Sequence, residues 1–146
     1  MAAFEPIEET PTSILGLDKI EAKIVRIKAW RKFVGRELKP KSTGFADDSI
    51  QLISTDVYKE FVLPQHKHLL SELAGEGTHH IHLCGDATRH FKMIIDELNV
   101  KFFDTGFPVD FSALRKKLGN DITIQGGPNI RLLLTGSVEE IEEETK

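Results

Sequence analysis

The sequence predicts an α/β fold with parallel strands, and two observations lead to that prediction. Three short stretches have the pattern of strands and alternate with helical patterns of apolar residues. They are HHIHLC, VKFFD and DITIQ. Their ends, at Cys84, Asp104 and Gln125, recur at intervals of roughly 20 residues, which is the size of a compact strand–helix repeat. We therefore expect parallel strands joined by right-handed helical crossovers.

The chain before these repeats predicts an arm and a helix. The first dozen residues contain prolines and glutamates without periodicity, which suits a surface arm. Isoleucines recur at helical spacing after Asp18, and Glu21 follows Asp18 at the distance of a capping box. This pattern predicts a helix from Asp18 to about Val34, which Gly35 ends.

The middle of the chain predicts a loop with two carboxylates and then a broken helix. A short apolar approach leads to Asp47 and Asp48. Ser54 or Thr55 can cap the helix that follows, and Pro64 lacks the N–H that a helix interior needs. We therefore expect a helix interrupted at Pro64.

The remaining helices are predicted from periodicity and from their ends. Apolar residues at helical spacing run from Phe91 to Leu98 and from Val109 to Leu118. Gly119 stands where a C-terminal glycine cap belongs. Ser137 and Glu140 form the pattern of a capping box and predict a final helix.

Composition excludes several classes of protein. The 146 residues suffice for one domain, and the net charge of −4 comes with basic residues dispersed among acidic ones, which disfavours a nucleic-acid partner. No apolar run approaches the roughly 20 residues needed to span a bilayer, so we expect no membrane role. The single cysteine and an N-terminus without signal-peptide character predict a cytoplasmic protein.

The stretch HHIHLCGDATRH contains a candidate pair of metal ligands. His82 and Cys84 are two residues apart on a predicted strand, so both side chains point to one face, and imidazole with thiolate suits zinc. The pair is weak evidence alone, because zinc takes three or four protein ligands and a lone buried cysteine often acts as a small apolar residue. Nucleophilic catalysis by the cysteine ranks last, because side chains so placed diverge too far for an activating hydrogen bond.

The other histidines are weaker candidates. His80 shares the face of His82 only if the strand starts early, and His79 and His90 are typical of solvated histidines or of ones that bond a backbone carbonyl. His66 and His68 lie in a polar helical turn and are predicted to be surface residues.

Polar residues at the strand ends define a second set of candidates. Ligands bind at the carboxyl edge of parallel α/β sheets, where Asp104 and Gln125 end their strands. Asp104 follows a very apolar strand and needs a partner or a role, although a loop hydrogen bond is equally compatible. Asp47 is either a catalytic carboxylate or the start of a turn. Gly126 and Gly127 either cradle an anion with their amides or form an ordinary tight turn.

Taken together, several motifs resemble the uroporphyrinogen decarboxylase superfamily. They are DDSIQLISTDVYKEFVLPQHKHLL, HIHLCGDATRHF, VKFFDTGFPVDFSALRKKLGNDITIQGGP and LLLTGSVEEI. The resemblance implies a (β/α)₈ TIM barrel, of which only the later part is matched. A complete barrel takes about 250 residues. We therefore expect residues 41–146 to form a partial barrel and residues 1–40 to form the arm and helix.

The resemblance implies two possible activities. The methyltransferase branch moves a methyl group from a corrinoid on a partner protein to a thiol. There His82 and Cys84 correspond to two of three zinc ligands, with Asp47, Asp104 and Gln125 lining the same edge. The family's third ligand is a cysteine on the final strand, which has no counterpart here. The decarboxylase branch of porphyrin biosynthesis works without metal, and in that case the His-x-Cys pair serves packing.

A partial barrel also predicts a partner. Three or four parallel strands leave unpaired edges and an open inner face. We therefore expect the chain to pair with itself or with a companion chain that supplies the remaining strands, and to have little activity alone. The alternative of a different class is a non-catalytic assembly module that completes a barrel.

Overall fold

The fold is a four-stranded parallel sheet with helices, seen in a computed structural model that describes residues 17–145. The strands are β1 (Gly44–Ala46), β2 (His79–Leu83), β3 (Val100–Thr105) and β4 (Thr123–Gln125). They lie side by side in the order β1-β2-β3-β4, and every neighbouring pair is parallel. The predicted α/β class is thus confirmed. The predicted N-terminal arm lies outside the described residues.

Helical segments connect the strands and flank the sheet. They are α1 (Leu17–Phe33), α2 (Thr55–Val57), a π-helical turn (Tyr58–Val62), α3 (Leu63–Leu73), α4 (Phe91–Leu98), α5 (Phe111–Leu118), α6 (Ile130–Thr135) and α7 (Val138–Glu144). Two 3₁₀ turns, Asp48–Leu52 and Thr88–His90, follow β1 and β2.

The helix starts follow from local side chains. Ser54 Oγ accepts the Val57 N–H at the start of α2, and Ser137 and Glu140 form the predicted capping box of α7. Pro64 does not interrupt the chain of helices as expected. It lies in the first turn of α3, after the π-helical turn, where a missing N–H is tolerated.

The two faces of the sheet have different environments. Ile81 and Leu83 of β2 and Phe103 of β3 point to one face and are buried in the main apolar core. His82 and Asp104 are neighbours in the β2–β3 register and lie on the opposite face, where both are half-buried. The polar candidates therefore project away from the helix-covered core.

Strand β1 is short and depends on one glycine. Gly44 is paired with His80, and a Cβ atom built at Gly44 would lie 1.7 Å from Nε2 of His80. Only a residue without a side chain leaves room for that imidazole.

A single residue, Asn99, connects α4 to β3. It has the left-handed conformation (φ 51°, ψ 35°), and its side-chain Nδ2 donates to the carbonyl of Gly77 at 2.9 Å. Its own carbonyl accepts the N–H of His79 at 3.0 Å. Asn99 therefore ties the start of β2 to the start of β3.

Helix α1 lies against α3 and outside the sheet. Ile24 is buried against Leu69 and Leu73. Arg31 donates to the carbonyls of Leu38 and Leu73, each at 2.7 Å, and so holds the segment that leads to β1.

No helix within residues 17–145 combines the length and the apolar composition that a membrane span requires.

Candidate metal centre

His82 and Cys84 lie together at the carboxyl end of β2. His82 is in the strand and Cys84 is the first residue beyond it, so the two side chains share the open face of the sheet. Cys84 Sγ lies 3.3 Å from Nε2 of His82. Cys84 is exposed and unpaired, which differs from the buried apolar cysteine considered as an alternative. This separation suits two ligands of one metal ion.

Asp104 orients the imidazole of His82. Its Oδ2 lies 2.8 Å from Nδ1 of His82, because β3 places Asp104 directly beside His82. A carboxylate at this nitrogen favours the tautomer in which Nδ1–H donates, so Nε2 has its lone pair free. Metal-binding histidines usually have this second partner. The partner that the sequence leads one to expect for Asp104 is thus His82.

Asp48 is a third member of the cluster. The backbone N–H of Cys84 donates to Oδ1 of Asp48 at 2.7 Å. Possible ligand atoms of Asp48, His82 and Cys84 all lie within 4.8 Å of one another. Asp48 begins the 3₁₀ turn after β1, and β1 lies beside β2, so the sheet order brings this carboxylate to Cys84.

The charges around Cys84 disfavour its thiolate when no cation is bound. Desolvation by neighbouring atoms, the charge and hydrogen bond of Asp48, and the charge of Asp104 together raise the pKa of the Cys84 thiol above its usual value. A bound cation would instead lower the pKa of the Cys84 thiol, because its positive charge favours the thiolate. The carboxylates of Asp48 and Asp104 would in turn stabilise the cation.

The expectation that His82 and Cys84 diverge too far for a direct contact is wrong. The 3.3 Å separation of Cys84 Sγ and His82 Nε2 is within hydrogen-bonding distance for sulfur. The two side chains come this close because Cys84 lies just past the end of β2, where the backbone no longer follows strand geometry. The raised pKa of Cys84 nevertheless opposes an activated nucleophile, since catalytic cysteines have lowered pKa values.

Asp47 belongs to a separate hydrogen-bonded chain. Its Oδ2 accepts from Nε2 of His66 at 3.1 Å, Ser49 donates to its Oδ1, and Tyr58 O–H donates to Nδ1 of His66 at 3.2 Å. Burial raises the pKa of Asp47, but the hydrogen bonds from His66 and Ser49 outweigh burial and leave the pKa below its usual value. Asp47 is therefore an ionised carboxylate next to the cluster, outside the group of three donors.

His66 is not the surface residue that its polar surroundings predicted. It is only 5% exposed, whereas His68 is half-buried and lies 2.5 Å from Glu21 of α1. Residue 66 faces the sheet on α3, and its polar nitrogens are satisfied by Asp47 and Tyr58. An imidazole can be buried in this way because both of its ring nitrogens have hydrogen-bond partners.

The remaining predicted site residues lie nearby without joining the cluster. Gln125 is exposed and is paired with Asp104 in the β3–β4 register, so it lines the same face. Gly126 and Gly127 line a different cleft, next to Phe107 and Phe111. A Cβ at Gly126 would lie 2.2 Å from the Phe111 ring, so this glycine is explained by packing.

The other histidines of the opening motif have structural partners. His79 is buried, and burial lowers its pKa. His90 is fully buried, and its Nε2 donates to the carbonyl of Ile50 at 2.9 Å. His80 is exposed on the open face and contacts Phe102 edge-on. None of these three belongs to the candidate metal group found among residues 17–145.

The sequence did not predict that Asp48 lies beside Cys84. The sequence indicates Asp48 only as the neighbour of Asp47 in a turn. The available signal was its position immediately after the short apolar stretch GFA, which forms an edge strand beside β2. Recognising that strand would have placed Asp48 at the same edge as Cys84.

The fold and this site define an α/β protein with candidate metal ligands at the carboxyl edge of a parallel sheet. The family model for uroporphyrinogen decarboxylase (URO-D) matches residues 41–146. The chain belongs to this family. Its parallel sheet with flanking helices is consistent with part of a URO-D-like TIM barrel.

The chain is also similar to a curated protein. It is 34% identical over 100 residues to a methylated-thiol–coenzyme M methyltransferase of Methanosarcina mazei. The aligned stretch is 67% of this chain and 26% of that relative, so the chain spans about a quarter of the relative's length. No solved structure matches the chain.

Proposed function

We propose that this chain contributes a zinc site for a thiol substrate in a corrinoid-dependent methyl transfer. The observation that carries the proposal is the 3.3 Å contact between Nε2 of His82 and Sγ of Cys84, with Nδ1 of His82 held by Asp104. The methyltransferase relative supports this branch of the family.

The residues present fit a zinc ion. Imidazole nitrogen and thiolate sulfur are its preferred ligands, and Asp104 supplies the second partner that such a histidine has. His82 and Cys84 would hold the ion. A bound zinc ion would lower the pKa of a thiol substrate and favour the nucleophilic thiolate.

The residues of this chain then have separate tasks. His82 presents one nitrogen and is kept from rotating by Asp104. Asp47 is ionised and fixed by His66 and Ser49, so it can orient a polar group of a substrate beside the cluster. Gln125 extends the same face with an amide that can donate or accept.

Zinc titration tests the metal assignment. Competition with a chromophoric chelator should show one zinc ion per chain, and His82→Ala and Cys84→Ala should each abolish tight binding. His80→Ala is the matched control, because His80 lies on the same strand and the same face but outside the cluster. Stoichiometric zinc binding unchanged by His82→Ala would remove the assignment.

Methyl transfer tests the activity. Methylcobalamin and coenzyme M serve as donor and acceptor, and the expected product is methylated coenzyme M. Because the chain spans about a quarter of its relative, we expect turnover only when a companion chain supplies the rest of the barrel. Decarboxylation of uroporphyrinogen that does not depend on a bound metal ion would instead favour the decarboxylase branch.

We also propose that a companion chain or a second copy covers the open side of the sheet. Within residues 17–145, β1 and β4 each have a strand neighbour on one side only. Ile130 and Leu134 of α6 are 79% and 82% exposed, which leaves apolar surface on the helix that follows β4 in the chain. The same surface suits the alternative, an assembly module without catalysis.

Sedimentation velocity tests this association. The purified chain should form a dimer or larger species, and Leu134→Lys should shift the population toward monomer. Leu52→Lys is the control, because Leu52 is equally exposed but follows β1. A well-folded monomer at every concentration, with no partner recovered from its native source, would contradict the proposal.

A further inference from the structure

Three donors converge at the end of β2, and the third of them comes from a segment that the family resemblance does not assign to metal binding. We propose that Asp48 is a protein ligand of the metal ion held by His82 and Cys84. The inference rests on the proposed zinc site and adds a ligand to it.

The distances fit a shared metal ion. Tetrahedral zinc with ordinary bond lengths separates its ligand atoms by about 3.3–3.8 Å. The His82–Cys84 separation is already 3.3 Å, and no donor of the three is farther than 4.8 Å from another. Contraction of about 1 Å is within the reach of side-chain rotation by Asp48 and Cys84, which are both exposed.

The carboxylate of Asp48 has an oxygen to offer. Its Oδ1 accepts the N–H of Cys84, which aims the group at the thiol. A carboxylate has about four acceptor positions on two oxygens, so this hydrogen bond leaves capacity for a cation. Within residues 17–145, none of the ion pairs joins Asp48 to a lysine or arginine. Its charge is therefore left for another cation.

The 3₁₀ turn that carries Asp48 is held in place by hydrogen bonds from His90 and Arg89. Ile50 is 1% exposed, and its carbonyl accepts from Nε2 of His90 at 2.9 Å. Arg89 donates to the carbonyl of Ile53 at 2.8 Å and to that of Gln51. Both anchoring side chains come from the segment after Cys84. The turn with Asp48 and the segment with Cys84 are therefore fixed to each other.

Such anchoring lowers the entropic cost of metal binding. A ligand on a free loop must be ordered when the ion binds, whereas the backbone of Asp48 is already placed.

A thiolate and a carboxylate also balance the two charges of zinc, with His82 neutral. The chain therefore supplies three ligands and leaves one position for a thiol.

Asp48→Asn is the principal test, with zinc affinity measured by chelator competition. The amide keeps Oδ1 to accept the Cys84 N–H but lacks the charge. We expect zinc affinity to fall by more than about 100-fold, since even outer partners of ligands change affinity by about 10–100-fold. Asp86→Asn is the matched control. Asp86 lies two residues after Cys84 and, like Asp48, accepts a backbone N–H, in this case from Thr88 at 3.0 Å.

Cobalt(II) gives a readout that does not depend on activity. The wild-type chain should show the visible absorption of four-coordinate cobalt with one thiolate. Asp48→Cys should retain metal binding and about double the sulfur-to-cobalt absorbance, because a second thiolate joins the site. Circular dichroism of each variant establishes that the fold is intact.

The outcomes separate the two proposals. Zinc binding that His82→Ala abolishes and Asp48→Asn leaves unchanged would overturn the role of Asp48 and keep the His82–Cys84 site. A wild-type chain that binds no zinc would overturn both. An Asp48→Cys chain whose cobalt spectrum equals that of the wild type would also overturn the role of Asp48.

Discussion

Nδ1 of His82 and Oδ2 of Asp104 are 2.8 Å apart across neighbouring strands, and this contact leaves Nε2 of His82 facing the sulfur of Cys84. Neither residue is close to the other in the chain. The parallel register of β2 and β3 alone brings them together.

Removal of Asp104 should weaken metal binding without removing a ligand. Asp104→Ala is expected to lower zinc affinity by about 10–100-fold, because His82 loses the partner that sets its tautomer and orientation. Asp104→Asn should have a smaller effect, since its carbonyl oxygen can still accept from Nδ1. Chelator competition measures both. Wild-type affinity in the alanine variant would contradict this role, and Asp121→Ala, on an exposed loop, is the control.

Alkylation of metal-free protein should report the raised pKa of Cys84. Desolvation and the charges of Asp48 and Asp104 raise that pKa, so less thiolate is present at any given pH than in a free thiol. The midpoint of the reaction rate with iodoacetamide against pH should therefore lie above that of a model thiol. Cys84 is the only cysteine, so mass spectrometry measures the rate directly. A midpoint at or below that of a model thiol would contradict the expectation.

Tyr58→Phe should destabilise the fold by about 1–2 kcal/mol. The buried Nδ1 of His66 would lose the hydroxyl that donates to it, while the ring volume stays nearly the same. Urea unfolding followed by circular dichroism measures the change. Ser71→Ala on α3 removes an exposed hydroxyl and should stay within about 0.5 kcal/mol. Equal effects of the two substitutions on the free energy of unfolding would argue against a stabilising hydrogen bond between Tyr58 and His66.

The stability of the fold should fall in mild acid, in part because of His90. Burial, the largest cause, lowers the pKa of His90, and its bond to the Ile50 carbonyl opposes this only in part. The unfolded chain takes up this proton near pH 6.5, whereas the folded chain does so only at lower pH. Below about pH 6.5 the unfolded state therefore binds more protons, and the free energy of unfolding decreases.

His90→Gln isolates this contribution. The amide can still donate toward Ile50 but does not titrate. Between pH 7.5 and pH 5.5, the variant should lose less unfolding free energy than the wild type. His79, whose pKa is also lowered by burial, is present in both proteins and cancels in the difference. An identical pH dependence in both would exclude His90 as a cause.

The βα repeat was predictable because its signals are local. β2 and β3 are strands of five and six residues with apolar side chains on the core face, and α4 has a strong apolar periodicity that Asn99 ends. The placement of His82 and Cys84 on one face followed from the two-residue period of a strand. The sequence therefore predicted that His82 and Cys84 lie together on one face, as the structure shows.

The missed features depend on contacts distant in the chain. β1 has only three residues, too few to show an alternating pattern, and exists because it pairs with β2. The burial of His66 depends on Asp47 and Tyr58, which satisfy its two nitrogens. α6 was not predicted, because its six residues are too few to show a helical period.

The single left-handed residue between α4 and β3 makes this site sensitive to insertions and deletions. Leu98 ends the helix and Val100 begins the strand, so the connection is one residue long and an added residue would shift the strand. One extra residue here would turn β3 over, burying Asp104 in the core and placing Phe103 against His82. Such an insertion would therefore remove Asp104 from Nδ1 of His82 while leaving every side chain in the sequence.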